Sequence, residues 1–441
     1  MNADNLYAHH HAALQARYAN LLADQPYDDL IIYSGQPLLR FRDDQAYPFR
    51  SDPYYQQWIP AADHAGSLIL VRPGSRPLAV CLLPKDYWHV VPVAPSGVWT
   101  EHFDLRVAHT PAEVRAHLPA DLSNVAAVGA GAEALADWGV AALNPAPLLA
   151  AMDYQRVYKT DYEIDCLAAA NVMAARGHVA AREAFVDGRS EHGIHLAYLQ
   201  ATAHMEAELP YNNIVALNEH AATLHYDRLD RSPPEPLRSF LIDAGATHNG
   251  YAADITRTTA AAAGSFADLV EAMDAAQRRV LSGIRAGDSY IGLHEQAHLE
   301  IARVLGGLGI VRGEPEDMVE RGITLAFFPH GLGHHLGLQV HDAGGKLADP
   351  TGALIEQPAG HPYLRNLRPI EVGNVLTIEP GLYFIDQLLT PLRAKSCGAD
   401  VNWDLVERLR PFGGVRIEDD VAVTSAGIVN LTREAFSRTS G

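Results

Sequence analysis

The chain has 441 residues, of which 48% are hydrophobic and 20% are charged, and its formal net charge at pH 7 is −19. This composition is typical of a folded globular protein of roughly two to three domains and excludes a disordered chain. The negative charge argues against a nucleic acid or an anionic membrane surface as partner, because both bind basic surfaces.

The chain starts with MNADNLYAHHHAALQARYANLLA, which lacks the basic segment and apolar run of a secretory signal. No uncharged apolar run reaches the length of about 18 residues that a transmembrane helix needs. The three cysteines, Cys81, Cys166 and Cys397, lie far apart and follow no metal-binding spacing. We therefore expect reduced, buried thiols in a cytoplasmic protein.

Residues 1–155 alternate strand-like runs, such as LIIYSG and PLAVCLLP, with alanine-rich helical runs. This alternation predicts a smaller α/β N-terminal domain. Within it GAGAEA, from Gly129 to Ala134, matches the dinucleotide-binding pattern G-x-G-x-x-A. The match does not open a βαβ unit, and no acidic residue ends a clear following strand. We interpret it as a tight turn between a strand and a helix.

A second domain is predicted for residues 156–441. It opens with TDYE, a capping box in which Thr160 and Glu163 satisfy the free amides of a new helix that Gly188 ends. Three more helices are predicted to begin at or after Ser190, Ser265 and Ser289. Strands with glycine-rich turns lie between and after the helices, and this separation into blocks indicates an α+β fold.

Two aspartates flank a predicted hairpin in SFLIDAGATHNGYAADITRT, residues 239–258. Asn249-Gly250 is a strong signal for a two-residue hairpin turn. Asp243 lies in an apolar strand, where a carboxylate is costly unless it is paired or bound to a metal. The hairpin can bring Asp254 to the same side of the sheet. Taken alone, the pair is slightly better explained as two turn-associated aspartates near strand ends than as metal ligands.

The segment FFPHGLGHHLGLQVHD, residues 327–342, contains four histidines and three glycines. The glycines disfavour a helix, so we predict an extended or looped backbone on which His330 and His334 share a face. His341 needs a turn or a bulge to converge with His334. Because neutral imidazole is the commonest metal ligand, four histidines beside LGLQV favour a metal site over simple packing.

Two glutamates complete the set of strand carboxylates. Glu379 lies in VLTIEPG, at the end of a predicted buried strand that Pro380-Gly381 stops. Glu418 lies between apolar neighbours in GVRIEDDVAV, and taken alone it is consistent with a structural salt bridge to Arg416. Taken together, four strand carboxylates and one histidine form a ligand set rich in hard oxygen.

The ordered set LIDAGA…YAADITRT, PHGLGHHLGLQVHD, TIEPGLYF and VRIEDD resembles the dinuclear metallopeptidases of the pita-bread fold. Among them it is most similar to bacterial Xaa-Pro dipeptidases, or prolidases. The resemblance spans roughly residues 160–430, with a weaker similarity in FRDDQAYPFRSDPYYQQW, residues 41–58. It implies an α+β, pita-bread (creatinase/aminopeptidase-like) C-terminal catalytic domain that hydrolyses Xaa-Pro dipeptides and releases free proline.

The resemblance implies two divalent metal ions held by five side chains, Asp243, Asp254, His334, Glu379 and Glu418. Asp254 and Glu418 bridge the ions, Asp243 completes one of them, and His334 with Glu379 completes the other. Two cations about 3.5–4 Å apart can clamp a hydroxide and lower the pKa of bound water towards about 7. The oxygen-rich donors suit Mn²⁺ best, with Co²⁺ or Zn²⁺ as alternatives.

The resemblance also assigns roles around the metals. Glu379 is a candidate proton shuttle, while His225 and His341 stabilise the tetrahedral intermediate or steady the amide. Four residues are expected to bind substrate: Arg365, Arg416, Tyr211 and His330. An arginine is a good bidentate partner for the free carboxylate of a dipeptide, and Arg365 matches that family position. An exposed loop arginine is the alternative interpretation of Arg365.

The resemblance further implies a homodimer, with an N-terminal domain that serves dimerisation and substrate access. In the family, a first-domain loop reaches across the dimer and contributes an aspartate to the neighbouring site. Asp43 and Asp44 are the candidates here. The sequence departs from some relatives at this loop, because Gln45-Ala46 stands where a histidine is expected before YPF.

A competing motif is H-E-x-x-H at His294, Glu295 and His298, the zincin pattern on a predicted helix. Its histidines border the packing stripe of that helix, and a third ligand would have to come from the acidic residues at 314–320. We interpret this motif as a chance match.

Two alternatives share the predicted fold. An aminopeptidase P has the same metal ligands but accepts longer peptides with proline after the cleaved bond, and the LLTPLR segment favours the prolidases instead. A pita-bread protein that binds without hydrolysis is disfavoured because all five ligands are present. Some relatives hydrolyse organophosphorus esters as a side activity, which a direct assay would test here.

Overall fold

The computed structural model describes residues 3–61, 63–90 and 93–439. The chain divides into two compact units. Unit 1 comprises Met1–Cys166 together with the short segments Asn249–Tyr251 and Leu347–Ala353. Unit 2 comprises Leu167–His248, Ala252–Lys346 and Leu354–Gly441.

Unit 1 contains a mixed six-stranded sheet in the order β4-β3-β2-β1-β5-β6. Its strands are β1 (Asp29–Tyr33), β2 (Leu68–Val71), β3 (Leu78–Leu82), β4 (Asp104–Ala108), β5 (Val125–Val128) and β6 (Ala142–Leu143). Strand β1 pairs antiparallel with β2 and parallel with β5. Buried side chains such as Ile31, Leu70 and Val80 form its core, so the predicted α/β character of this region is confirmed.

The helices of unit 1 are α1 (Ala3–Ala23), α2 (Pro53–Trp58), α3 (Pro111–Ala116) and α4 (Ala146–Arg156), with 3₁₀ helices at Val98–His102 and Ala132–Trp138. The GAGAEA segment connects β5 to the second 3₁₀ helix, and Gly131 there is left-handed with φ 72°. It is therefore the strand-to-helix turn that we predicted. A longer helix, α5 (Asp161–Val186), begins in unit 1 and ends in unit 2.

The capping box at the start of α5 is confirmed. The Thr160 amide donates to Glu163 Oε2 at 2.8 Å, and the Glu163 amide donates to Thr160 Oγ1 at 3.4 Å. Gly188 follows the helix in a left-handed conformation with φ 73°. Two groups that the helix start would leave free are thus satisfied by local side chains.

The remaining helices are α6 (Glu191–Thr202), α7 (Ser265–Gly283), α8 (Tyr290–Gly307), α9 (Pro315–Glu320), α10 (Thr324–Phe327), α11 (Asp386–Ala394), α12 (Trp403–Leu409) and α13 (Leu431–Thr439). Short 3₁₀ helices lie at Glu206–Glu208, Asn218–Ala222, Ser396–Asp400 and Arg410–Phe412. Ser190 and Ser289 cap α6 and α8 through their hydroxyls, as predicted. Ser265 is instead the first residue of α7, where Gly264 occupies the cap position without a side-chain bond.

The remaining strands are β7 (Ile214–Leu217), β8 (Ser239–Asp243), β9 (Thr247–His248), β10 (Tyr251–Ala252), β11 (Thr256–Ala260), β12 (Val375–Ile378), β13 (Gly381–Tyr383), β14 (Gly414–Arg416), β15 (Asp419–Thr424) and β16 (Gly427–Asn430). In unit 2 they form antiparallel groups in the orders β11-β8-β7, β12-β15-β16 and β13-β14. Single bridges join Thr256 to Glu418 and His335 to Leu376. These pairings decide where the polar strand ends meet.

The core of unit 2 lies between the strands and helices α7 and α8. It includes Leu269, Val280, Ile301, Leu376 and Val421, all fully buried. Within the described residues, no helix combines the length and apolarity that crossing a membrane requires. All three cysteines are free and buried, as predicted.

Candidate active site

Asp243 and Asp254 come together through the β8–β11 pairing. Asp243 is the last residue of β8 and pairs with Thr256 of β11. Asp254 precedes Thr256 by two residues. The Tyr211 hydroxyl lies 2.7 Å from Asp243 Oδ1 and 2.5 Å from Asp254 Oδ1, so one phenol spans both carboxylates. The structure therefore places the two aspartates side by side, on the same side of the sheet.

His334 is held on an extended segment beside β12. Its amide donates to Thr377 Oγ1 at 3.1 Å, and the Thr377 amide donates to the His334 carbonyl at 3.0 Å. His334 Nδ1 donates a hydrogen bond to the His335 carbonyl at 3.0 Å. Nε2 then carries the lone pair, and it lies 3.4 Å from Asp254 Oδ2 and 3.9 Å from Glu379 Oε1.

The two glutamates arrive from different strands. Glu379 follows the end of β12, as predicted, and its amide donates to the Leu332 carbonyl at 2.8 Å. Glu418 precedes β15, and its amide donates to the Thr256 carbonyl at 3.0 Å. Its Oε2 accepts from Thr256 Oγ1 at 2.7 Å. The bridge between residues 256 and 418 thus carries Glu418 to the hairpin that bears the aspartates.

Ligand atoms of Asp254, His334 and Glu418 lie within 4.8 Å of one another. Burial raises the pKa of Glu418 well above its ordinary value, and the charges of Asp254 and Glu379 raise it further. Burial also raises the pKa of Glu379 to about 7. Buried like charges this close are costly, and divalent cations would neutralise them. Four carboxylates and one imidazole therefore fit a pair of divalent cations.

Arg416 is buried against this group. It donates from Nη2 to Asp243 Oδ2 at 2.7 Å, from Nη1 to the Tyr383 hydroxyl at 2.9 Å, and from Nε to Thr256 Oγ1 at 3.1 Å. Its closest carboxylate is thus Asp243, and the salt bridge to Glu418 considered from sequence is replaced by this one. The ion pair holds Asp243 in place on the side away from Tyr211.

A cavity of about 700 Å³ opens over these groups. Its lining contains the five predicted ligands and every residue that the sequence assigned to catalysis or substrate, namely Asp243, Asp254, His334, Glu379, Glu418, Tyr211, His225, His330, His341, Arg365 and Arg416. His225, His341 and Arg365 are exposed, whereas Arg416 is buried. The structure therefore brings together all the predicted site residues in one place.

Two histidines of the glycine-rich segment lie beside the ligands in the neutral form. Burial lowers the pKa of His330 to about 3, and its Nε2 lies 2.8 Å from the Tyr383 hydroxyl. His341 is exposed as a residue, but desolvation of its ring in the cavity lowers its pKa to about 4. The ring meets the His334 ring edge-on at 4.4 Å between centroids. The backbone turns between them, with the Asp342 amide donating to the His335 carbonyl, as convergence required.

Sequence reasoning missed several groups that hold the ligands. Tyr383 contacts both His330 and Arg416, and Thr256 contacts both Glu418 and Arg416. Asp420 is fully buried, and its Oδ2 accepts from the Asp254 amide at 3.0 Å. Tyr383 and Thr256 lie inside the motifs TIEPGLYF and YAADITRT, so their position beside a ligand was a usable signal.

The H-E-x-x-H histidines lie outside this cavity lining, on α8. His294 and His298 are buried and lie beside His361, which comes from a distant loop. The expectation that a third ligand would have to come from the acidic residues at 314–320 is wrong, because the third side chain with ligand chemistry is a histidine. His361 lies 67 residues from His294, so the local motif did not indicate it.

Comparison with known proteins identifies the family. Residues 5–154 match the family described as Xaa-Pro dipeptidase, N-terminal domain, and residues 165–425 match metallopeptidase family M24. The chain belongs to metallopeptidase family M24. An Xaa-Pro dipeptidase of Stenotrophomonas maltophilia is 47% identical over 437 residues, covering 99% of this chain and 98% of that protein. One of Xanthomonas campestris is 48% identical over 433 residues, covering 98% of each.

Solved structures share the fold of this M24 chain. The low-pH form of aminopeptidase P from Escherichia coli matches with a TM-score of 0.74 at 21% identity, covering 99% of this chain and 96% of that one. Its complex with the inhibitor Pro-Leu matches equally well at 22% identity. The predicted pita-bread fold, with a smaller N-terminal α/β region, is confirmed. Family membership implies divalent metal ions, and the acidic donor set of the cavity fits them.

Proposed function

We propose that this M24 metallopeptidase is a metal-dependent Xaa-Pro dipeptidase that releases free proline. Relatives 46–48% identical over 98–99% of the chain bear the name Xaa-Pro dipeptidase. The observation that carries the proposal is the convergence of four carboxylates and one imidazole on one cavity that Arg365 also lines. A dipeptide offers a free carboxylate close to its scissile bond, and an arginine suits that group.

Five residues would hold the metal ions: Asp243, Asp254, His334, Glu379 and Glu418. The resemblance implies that Asp254 and Glu418 would be shared by both ions, and their ligand atoms and one of His334 lie within 4.8 Å of one another. When bound, two divalent cations polarise the scissile carbonyl and make a hydroxide nucleophile available near neutral pH. The preponderance of oxygen donors supports Mn²⁺ as the preferred ion, ahead of Co²⁺ or Zn²⁺.

The other cavity residues have complementary tasks in this proposal. Glu379, which lines the cavity beside the other ligands, is the candidate proton shuttle. His341, whose pKa is lowered by desolvation of its ring, and His225 donate hydrogen bonds to the scissile amide or to the oxygen of the tetrahedral intermediate. Arg365 binds the substrate carboxylate, as a bidentate partner would.

Three further residues shape the substrate side of the cavity. Tyr211 and His330 line it and contact groups that hold the ligands. Arg416 also lines it, but its donors are engaged by Asp243, Tyr383 and Thr256. We propose that Arg416 serves the substrate indirectly, because it fixes the groups that the substrate meets.

We propose two functional domains, with residues 1–155 serving dimerisation and substrate access and residues 156–441 carrying the catalysis. A homodimer is supported by large exposed apolar side chains near the candidate loop aspartates, of which Leu38 is 70% exposed and Phe41 92% exposed. Asp43 and Asp44 lie on this exposed loop. The three free, buried cysteines support a cytoplasmic location.

A substrate comparison tests the proposed reaction. Protein stripped by a chelator is reloaded with Mn²⁺, Co²⁺ or Zn²⁺ and assayed on an Xaa-Pro dipeptide and on the tripeptide extended by one residue. We expect the dipeptide to react at least about 100-fold better in kcat/KM, because only it presents its carboxylate at the right distance. Equal rates would identify an aminopeptidase P, and no hydrolysis with any ion would identify a binding protein.

Variants link this activity to the proposed site. Asp254→Asn should abolish hydrolysis, while Asp268→Asn, an exposed helix position, should leave it unchanged. The dimer is tested by mixing Asp254→Asn subunits with subunits in which Asp43 and Asp44 are both alanine. If the loop acts across the dimer, each mixed pair contains one complete site and activity returns. If activity stays absent in verified mixed dimers, the loop has no such role.

A further inference from the structure

Three histidines meet in unit 2 outside the cavity that holds the peptidase site. His294 and His298 lie four residues apart on one face of α8, and His361 lies in the loop between residues 354 and 370. His294 Nε2 is 3.0 Å from His361 Nδ1. The ring centroids are 4.7 Å apart for His294 and His298 and 5.3 Å apart for His298 and His361. One ring nitrogen of each lies within 4.8 Å of the other two.

Two ring nitrogens of this histidine cluster lack hydrogen-bond partners. Among the residues that the structure describes, no polar group reaches His294 Nδ1 or His298 Nε2, although both atoms are buried. His298 Nδ1 lies 3.0 Å from the hydroxyl of Thr324, itself fully buried. A buried polar atom without a partner is costly, and such atoms are rare unless something binds them. When His298 Nδ1 donates to the Thr324 hydroxyl, the lone pair of the neutral ring is on Nε2.

The protonation state of the cluster suits a metal. Burial lowers the pKa of His294 to about 2 and that of His298 to about 4, and it also lowers the pKa of His361. All three imidazoles are then neutral near pH 7, which is the form that binds metal ions. The three side chains need not release protons to accept a cation.

A second group with ligand chemistry shows what a satisfied cluster looks like. Glu191 lies beside His220 and Asp230 within the same distance range. However, the Glu191 carboxylate accepts from the Leu217 and Asp230 amides, from His220 Nδ1 and from the Tyr226 hydroxyl. Its oxygens are fully used by the protein, so no cation is needed there. The histidine cluster differs because its free ring nitrogens remain.

We propose that His294, His298 and His361 bind one further transition-metal ion of the Zn²⁺ class, separate from the two ions of the peptidase site. Three imidazoles select Zn²⁺, Co²⁺, Ni²⁺ or Cu²⁺ over Mn²⁺, which prefers oxygen. In a tetrahedral zinc site the nitrogens lie about 3.3 Å apart, so the cluster needs only small side-chain movements to close around an ion. A fourth position stays open for water.

The position of this ion would tie a loop to a helix. The His361 carbonyl accepts from the Gln357 side chain at 2.6 Å and from the Leu364 amide. His361 is thus hydrogen-bonded to residues on both sides of it in the loop. Tyr363 and Arg365, which follow at once, line the peptidase cavity. The bound ion would therefore fix the loop that carries Arg365 to α8, in the manner of a structural metal.

Metal counting tests the proposal. Stripped protein is loaded with Zn²⁺, passed through a desalting column and measured by mass spectrometry of the metal. We expect about three ions per chain in the wild type, two in His361→Ala and two in His298→Ala, with at least about a 100-fold weaker third ion. His220→Ala, from the satisfied cluster, should keep three. Equal counts in wild type, His361→Ala and His298→Ala would overturn the proposal.

A spectroscopic readout keeps the result independent of peptidase activity. In Asp254→Asn/Glu418→Gln protein, which lacks two ligands of the peptidase site, Zn²⁺ absorption-edge fine structure should show a shell of three imidazole nitrogens at about 2.0–2.1 Å. Loading should also slow amide exchange over residues 357–365, but not in His361→Ala. An oxygen-dominated shell in this variant would overturn the site. A nitrogen shell in the variant, together with no dipeptidase activity in the metal-loaded wild-type protein, would leave the site standing while refuting the proposed function.

Discussion

Tyr211→Phe is the sharpest test of how the carboxylates are held, because it removes one oxygen and changes nothing else. The phenol spans Asp243 and Asp254 at 2.7 and 2.5 Å. Burial and these two carboxylates raise the pKa of Tyr211 well above its ordinary value, so the hydroxyl keeps its proton and remains a donor. Phenylalanine leaves the two carboxylates without the donor that orients them.

The magnitude follows from the kind of bond. A hydrogen bond to a charged group contributes about 1.5–3 kcal/mol, and groups that orient metal ligands are worth about 10- to 100-fold in metal affinity. These two ranges agree, since 1.4 kcal/mol corresponds to a factor of about ten. We expect Tyr211→Phe to weaken binding of the first metal ion by about 10- to 100-fold. At saturating metal, kcat should recover most of its value.

Competition with a chromogenic chelator measures the metal affinity, and initial rates at saturating metal measure kcat and KM. Tyr198→Phe is a matched control, because Tyr198 is buried nearby and its hydroxyl has no hydrogen-bond partner in the part of the chain that the structure describes. It should leave metal affinity unchanged. If Tyr211→Phe raises KM while metal affinity stays constant or improves, Tyr211 acts on the substrate and our positioning argument is refuted.

Three further predictions concern stability, substrate and pH. Asp419 is fully buried and accepts from Arg257 and Arg433 at 2.6 Å, so Asp419→Asn should lower the free energy of unfolding by about 3–5 kcal/mol in urea titrations; a loss below about 1 kcal/mol would contradict this. Arg365→Met should raise the dipeptide KM about 10- to 100-fold with kcat nearly unchanged, and an unaltered KM would remove Arg365 from substrate binding. Because burial raises the pKa of Glu379 to about 7, metal must displace its proton below that pH. Metal affinity by calorimetry should therefore increase from pH 5.5 to 7 and then level off, whereas a flat profile would exclude this protonation.

Signals that act over a few residues were readable from the sequence. The hairpin turn at Asn249-Gly250 has positive φ at both positions, 51° and 87°, as a two-residue turn of this type requires. The capping box of Thr160 and Glu163 forms as its spacing predicted. In both cases the residues that decide the conformation are near neighbours, so no tertiary information was needed.

Convergence of the ligands was predicted through family resemblance, and local pattern alone does not specify it. Glu418 meets the hairpin of Asp254 through a single bridge to Thr256, 162 residues away. His334 reaches the same place because its segment pairs with β12. Such pairings depend on the packing of whole strands, and strand-like periodicity gives no register between distant segments.

Two omissions have the same physical origin. Asp420 looks like one more acid in IEDD, yet its Oδ2 accepts both from the Asp254 amide and from Asn171, which comes from helix α5. The partner of His294 in the histidine cluster lies 67 residues away in a loop without regular structure. Side chains that meet only through tertiary packing leave no periodic pattern in the sequence. Sequence reasoning therefore searched for a third ligand among the wrong residues.

Gly333 allows the close backbone approach that positions His334 in the segment 327–342. At Gly333 a Cβ would lie 2.1 Å from the Thr377 carbonyl oxygen, so only glycine lets this backbone press against β12. That close approach forms the two hydrogen bonds between His334 and Thr377, which fix the imidazole before any ligand binds. A bulkier residue at position 333 would force the segment away from the strand. His334 Nε2 would then move away from Asp254 and Glu379. The backbone hydrogen bonds to β12 therefore position the His334 imidazole, and Gly333 is required because only glycine permits that close approach.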